Sequence, residues 1–117
     1  DLAAALAGGA VRMRRLCGGR IAAVVGNRPE ALRLGYCLAP VVIALNPQFG
    51  RNSGPPYRKF TVAQYRAGHA DFTALRGALG ALELRWGGTP TILGSPQGIP
   101  SQLSLCAVVR VVRRALI

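Results

Sequence analysis

The pattern of apolar and polar positions divides the chain into short segments. Residues 2–16 are rich in Ala and Leu and close on Arg12, Arg14 and Arg15. Asp1 near the start and arginines near the end suit a helix dipole, so a helix is expected, ended by Gly18-Gly19. Gly8-Gly9 weaken that expectation. Residues 21–25 (Ile-Ala-Ala-Val-Val) are continuously apolar, and Gly26-Asn27 closes them, as for a buried strand. Pro29 suits the first turn of a helix, and a short one is expected over 30–38, with Leu32, Leu34, Tyr36 and Leu38 and with Arg33 outward. The clearest strand is 41–45 (Val-Val-Ile-Ala-Leu), a β-branched run of the kind covered on both faces. A loop is expected over 46–56, where Asn, Pro, Gly and Ser cluster.

The second half reads similarly. From Tyr57 to Tyr65 the chain alternates, which predicts a half-exposed strand with Phe60 and Val62 on one face. Asp71 or Thr73 can cap a helix to about Leu84, whose stripe is Phe72, Leu75, Leu79 and Leu82. Ser101 or Ser104 can cap a last helix through Leu116. Its stripe is Leu105, Val108, Val109, Val112 and Leu116, with Arg110, Arg113 and Arg114 on the other side. The β-branched run 108–112 leaves a strand open there. Between these helices, 86–98 (Trp-Gly-Gly-Thr-Pro-Thr-Ile-Leu-Gly-Ser-Pro-Gln-Gly) predicts a glycine turn, a buried strand over 91–93 and a second glycine turn. Free N–H groups in such turns can hold a phosphate, although tight turns need no ligand. Interleaved helices and strands predict an α/β fold: a single layered domain with a mixed sheet of about four strands and flanking helices. Residues 1–19 form a basic N-terminal helix or extension, and 20–117 the α/β domain.

Charge changes the picture more than length does. The 117 residues carry 15 basic and 4 acidic side chains, a net +11. The acids are Asp1, Glu30, Asp71 and Glu83, and every basic residue except Lys59 is an arginine. Such an excess favours a polyanionic partner, nucleic acid or an anionic membrane surface. Arginine forks onto phosphate and stacks on bases, which suits RNA, although a GC-rich coding sequence would also enrich it. No apolar run approaches the roughly 20 residues of a membrane helix. Opening on Asp1 suggests a processed or trimmed chain, and five arginines without an acid between Asp1 and Glu30 match a transit segment as well as a basic helix.

Chemistry-bearing clusters are sparse. Cys17, Cys37 and Cys106 are widely spaced and His69 is the one histidine, so neither zinc spacing nor a disulfide framework is expected. The cysteines are expected to be buried and reduced. His69 and Asp71 do not make a two-metal site. Ser95 lacks a Gly-x-Ser-x-Gly elbow. No cofactor, metal or catalytic residue is expected.

The element order and the run Leu84-Arg85-Trp86-Gly87-Gly88-Thr89, followed by Ile92-Leu93-Gly94-Ser95-Pro96 and the helix from Ser104, resemble the C-terminal substrate-binding domain of DHH-family phosphoesterases, the RecJ-like group. The resemblance spans roughly residues 20–116. It implies a glycine-rich motif close to a substrate phosphate. The family's phosphate-contacting histidine would fall near Thr89, where this chain has none, and no Asp-His-His metal motif occurs in these residues.

These readings lead to a non-catalytic, basic RNA-binding domain in a ribonucleoprotein such as an organelle (mitochondrial) ribosome. Its partners would be rRNA-like RNA and neighbouring proteins of a large complex. Its location would be a mitochondrial or other organelle matrix, otherwise the cytoplasm. Candidate contacts are Arg51, Arg58, Lys59, Arg66, Arg85, Arg110, Arg113 and Arg114, with Gly87 and Gly88 near phosphate. Each arginine taken singly could be a solvated surface charge. Tyr57, Tyr65 and Trp86 could stack on bases, with core packing expected for at least two of them. One alternative is the substrate-binding portion of a DHH-type phosphoesterase or oligoribonuclease whose catalytic domain lies elsewhere. Another is a structural adaptor docking through an apolar surface.

Overall fold

A computed structural model describes residues 11–27, 30–50 and 54–117. The strands are β1 (Val11–Leu16), β2 (Ile21–Gly26), β3 (Val41–Phe49), β4 (Tyr57–Gln64), β5 (Gly87–Thr89) and β6 (Ile92–Gly94). The helices are α1 (Ala31–Tyr36), α2 (Phe72–Leu82) and α3 (Leu105–Ala115). The strands form one sheet in the order β1-β2-β3-β4-β6-β5. Only β2 and β3 run parallel, and α1 lies in the crossover between them. The other neighbours are antiparallel. The α/β domain with a mixed sheet is therefore as expected, but with six strands rather than about four.

Register sorts the sheet into two faces. Ala23, Ile43, Val62 and Leu93 are cross-strand partners in series, so they point the same way. Ile43, Val62 and Leu93, together with Ile21, Leu45 and Phe60, join Phe72, Leu75, Leu79, Val108 and Val112 of α2 and α3 in the main core. The opposite face gives Val11, Ala22, Val24 and Val42 to a smaller core with Ala31 and Leu34 of α1. Coverage on both faces explains why β2 and β3 are apolar without alternation. On α1, Gly35 permits the close approach: a Cβ there would lie 2.4 Å from Val42 Cγ1.

Four expectations are corrected. Residues 11–16 are a strand, not the end of a helix, because Val11 and Met13 alternate with Arg12 and Arg14 and β2 offers a partner. The rest of that helix lies outside the described residues. β3 runs on to Phe49 through residues expected to be loop, because β4 pairs with it as far as Tyr57. The glycine stretch is a two-stranded hairpin: Gly87 and Gly88 are in β5, and Pro90-Thr91 makes the turn. Cys37 and Cys106 are exposed and Cys17 is half-buried, and all three are free thiols.

The helix caps match the sequence. The Asp71 side chain accepts from Ala74 N–H and that of Ser104 from Ala107 N–H. Among the described residues, no helix is long and apolar enough to cross a membrane.

Candidate nucleic-acid interface

The predicted contacts fall into separate places. Arg51 lies outside the described residues. Arg58 is turned inward: its guanidinium donates to Ser101 O at 3.2 Å and to Leu103 O, and it stands 4.9 Å from the centre of the Phe60 ring. It thereby ties the segment before α3 to β4. Lys59 is buried, with Nζ donating to Ser95 O at 2.7 Å, and burial lowers its pKa. Both side chains are thus held within the fold. Arg66 is exposed and stands over the Tyr65 ring. Tyr65 is the one of the three candidate stacking residues that is open to solvent. Trp86 is buried and stacks on Phe60, and Tyr57 packs edge-on to Phe49.

Arg85, Gly87 and Gly88 sit at or beside β5, the outer strand on one side of the sheet. Gly88 has φ +149°, and a Cβ there would lie 2.0 Å from Ile92 O. The hairpin itself thus requires glycine at this position. Ser95 also has a structural task. Its Oγ accepts from Phe60 N–H at 2.9 Å, just past the end of β6. Glu83 accepts from Trp86 Nε1, Ser101 Oγ and Gln102 N–H at 2.8–3.0 Å. The carboxylate thereby anchors the segment leading to α3.

Arg110 and Arg113 belong to a different surface. With Cys106 and Val109 they recur at helical spacing on one side of α3 and face the outer strand β1. The register puts Arg12 and Arg14 on the same sheet face as α3, because they pair with Val25 and Ala23. Among the described residues, the helical layer does not cover this edge of the sheet. A trough of about 710 Å³ results, with a floor of Leu16, Ala23, Val25, Leu105 and Val109. Arg12 and Arg14 stand on the strand side, Arg110 and Arg113 on the helix side, all four exposed. Among the described residues, no acidic side chain lines it. Arg114 is exposed on α3 but outside the trough.

Sequence reasoning missed Arg12 and Arg14 as contacts because their stretch was read as helix. The alternation Val-Arg-Met-Arg was the available signal. The two outer strands are five strand spacings apart, on the order of 24 Å. The glycine hairpin and the trough are therefore separate sites. Among the described residues, no three His, Cys, Asp or Glu side chains are grouped to hold a metal ion. Compared with family models, curated proteins and solved structures, the chain matches none.

Proposed function

We propose that this chain is a non-catalytic RNA-binding domain, a structural component of a ribonucleoprotein such as an organelle ribosome. The observation that carries this reading is the trough: four exposed arginines on two elements, with no acid among the described residues that line it. Guanidinium groups so placed attract phosphate and are not neutralised locally. The net +11 of the chain supports the same partner at longer range. Two of the three described carboxylates, those of Asp71 and Glu83, are engaged in a helix cap and a loop anchor, which supports a role without catalysis.

The affinity should come mainly from phosphate contacts, with shape and neighbouring proteins setting the position. Four contacts to a single strand give a slope of log K against log salt of about −3. Raising salt from 50 to 200 mM should then weaken binding by about fifty-fold. Replacing Arg110 and Arg113 with alanine should flatten that slope by about 1.4 and leave folding intact. Fluorescence anisotropy with labelled RNA measures both. A salt-independent affinity would transfer the reading to the adaptor alternative. Co-purification with a metal-dependent subunit carrying an Asp-His-His motif would transfer it to the phosphoesterase alternative.

A further inference from the structure

We infer that the trough is a single-strand subsite: an unpaired nucleotide lies on its aliphatic floor, and the arginines on the two walls take the flanking phosphates. This inference rests on the RNA-binding reading and specifies what that site accepts. Leu16, Val25, Leu105 and Val109 are only half-buried in the free protein, so the floor still has apolar surface to cover. A duplex keeps its base faces inside and presents sugar and phosphate, which cannot cover that floor. An unpaired base has a free apolar face, and a guanidinium plane can stack on it. A bilayer surface brings anionic charge but does not reach the bottom of a concave trough. The volume of about 710 Å³ lies in the range of small-molecule sites, roughly 300–1,000 Å³. It suits a nucleotide rather than a helix. No carboxylate or amide side chain among the described residues lines the trough to accept from a base edge, so recognition is tolerant of sequence.

Two of the chain's cysteines make the inference measurable. Cys106 lines the trough and is exposed, whereas Cys37 is exposed beyond α1 on the other face of the sheet. Alkylation at each thiol, followed by mass spectrometry, gives a reporter and an internal control. The probes are an oligouridylate of about twelve residues, a blunt RNA duplex of about the same length, and vesicles containing phosphatidylserine. At saturation, the oligouridylate should slow alkylation of Cys106 about tenfold or more and leave Cys37 unchanged. The duplex should bind more weakly and leave Cys106 reactive. The double variants Arg12→Ala/Arg14→Ala and Arg110→Ala/Arg113→Ala should each lower oligouridylate affinity by a similar factor, about tenfold, because both walls serve one strand.

Oligouridylate that binds without protecting Cys106 would overturn the inference and leave the RNA reading standing. So would equal protection by the duplex, or an effect of the α3 pair alone. Protection by vesicles without protection by oligouridylate would assign the trough to a membrane. Failure of every RNA to bind would overturn the RNA-binding reading, and the subsite with it.

Discussion

Gly87 and Gly88 separate a structural role from a phosphate-binding one, because alanine at the two positions meets different surroundings. At Gly88 the added Cβ would lie 2.0 Å from Ile92 O, 2.9 Å from Leu93 Cα and 3.0 Å from Ile92 C. All three are backbone atoms of the paired strand, so no side chain can yield. The φ of +149° adds strain for an L side chain, of about 1–3 kcal/mol. Relieving the clash opens the β5–β6 hairpin and gives up ladder hydrogen bonds at about 1 kcal/mol each. Gly88→Ala should therefore cost about 3–4 kcal/mol, a large part of the stability of a domain this size. The corresponding fall in Tm is about 10–15 °C. At Gly87 the nearest atom would be an Arg76 guanidinium nitrogen at 4.0 Å, so Gly87→Ala should cost less than about 1 kcal/mol. Thermal unfolding followed by circular dichroism measures both. RNA affinity at a temperature where both variants are folded should match the parent, because the trough is at the other edge of the sheet. Loss of RNA binding in both variants with unchanged Tm would refute the structural account and restore the glycines as a phosphate cradle. A Gly88→Ala protein as stable as the parent would refute the steric argument by itself.

Two further outcomes follow from polar groups held within the fold. Glu83→Gln should cost about 1–3 kcal/mol in urea denaturation, since an amide nitrogen would face one of the donors that the carboxylate now satisfies; an unchanged midpoint would contradict the anchoring role. Burial lowers the Lys59 pKa below the usual 10.5, so between the lowered value and 10.5 the unfolded chain binds more protons than the folded one. Stability from this group therefore rises with pH through that window. The parent should gain stability relative to Lys59→Met on moving from about pH 8 to 10.5. A difference independent of pH would mean that the ammonium is fully solvated in the folded protein.

Local pattern determined the elements that carry their own period. The continuous apolar runs at 21–25 and 41–45 are β2 and β3, and the alternation from Tyr57 is β4, although Lys59 and Ala63 are buried opposite Phe60 and Val62, so the strand is not half-exposed as expected. The stripes through Phe72, Leu75 and Leu79 and through Val108 and Val112 are the buried sides of α2 and α3, whereas Leu82, expected in the first stripe, is exposed at the helix end. Asp71 and Ser104 cap those helices because a short oxygen-bearing side chain meets free N–H groups whatever the rest of the fold does. The outer strands carried too little local signal. Three residues with two glycines have no period, and β5 exists because β6 pairs with it. The six residues of β1 alternate for only four positions after an Ala- and Leu-rich run, and pairing with β2 decides for the strand. Tertiary structure likewise decided which basic residues act together. Arg58 and Lys59 are candidate RNA contacts in the sequence, yet both side chains make hydrogen bonds within the fold. Arg12 and Arg14 meet Arg110 and Arg113 across nearly the whole length of the chain. Composition sets how much positive charge the protein carries, but its concentration at one trough depends on strand order and register, which join residues that no local window contains.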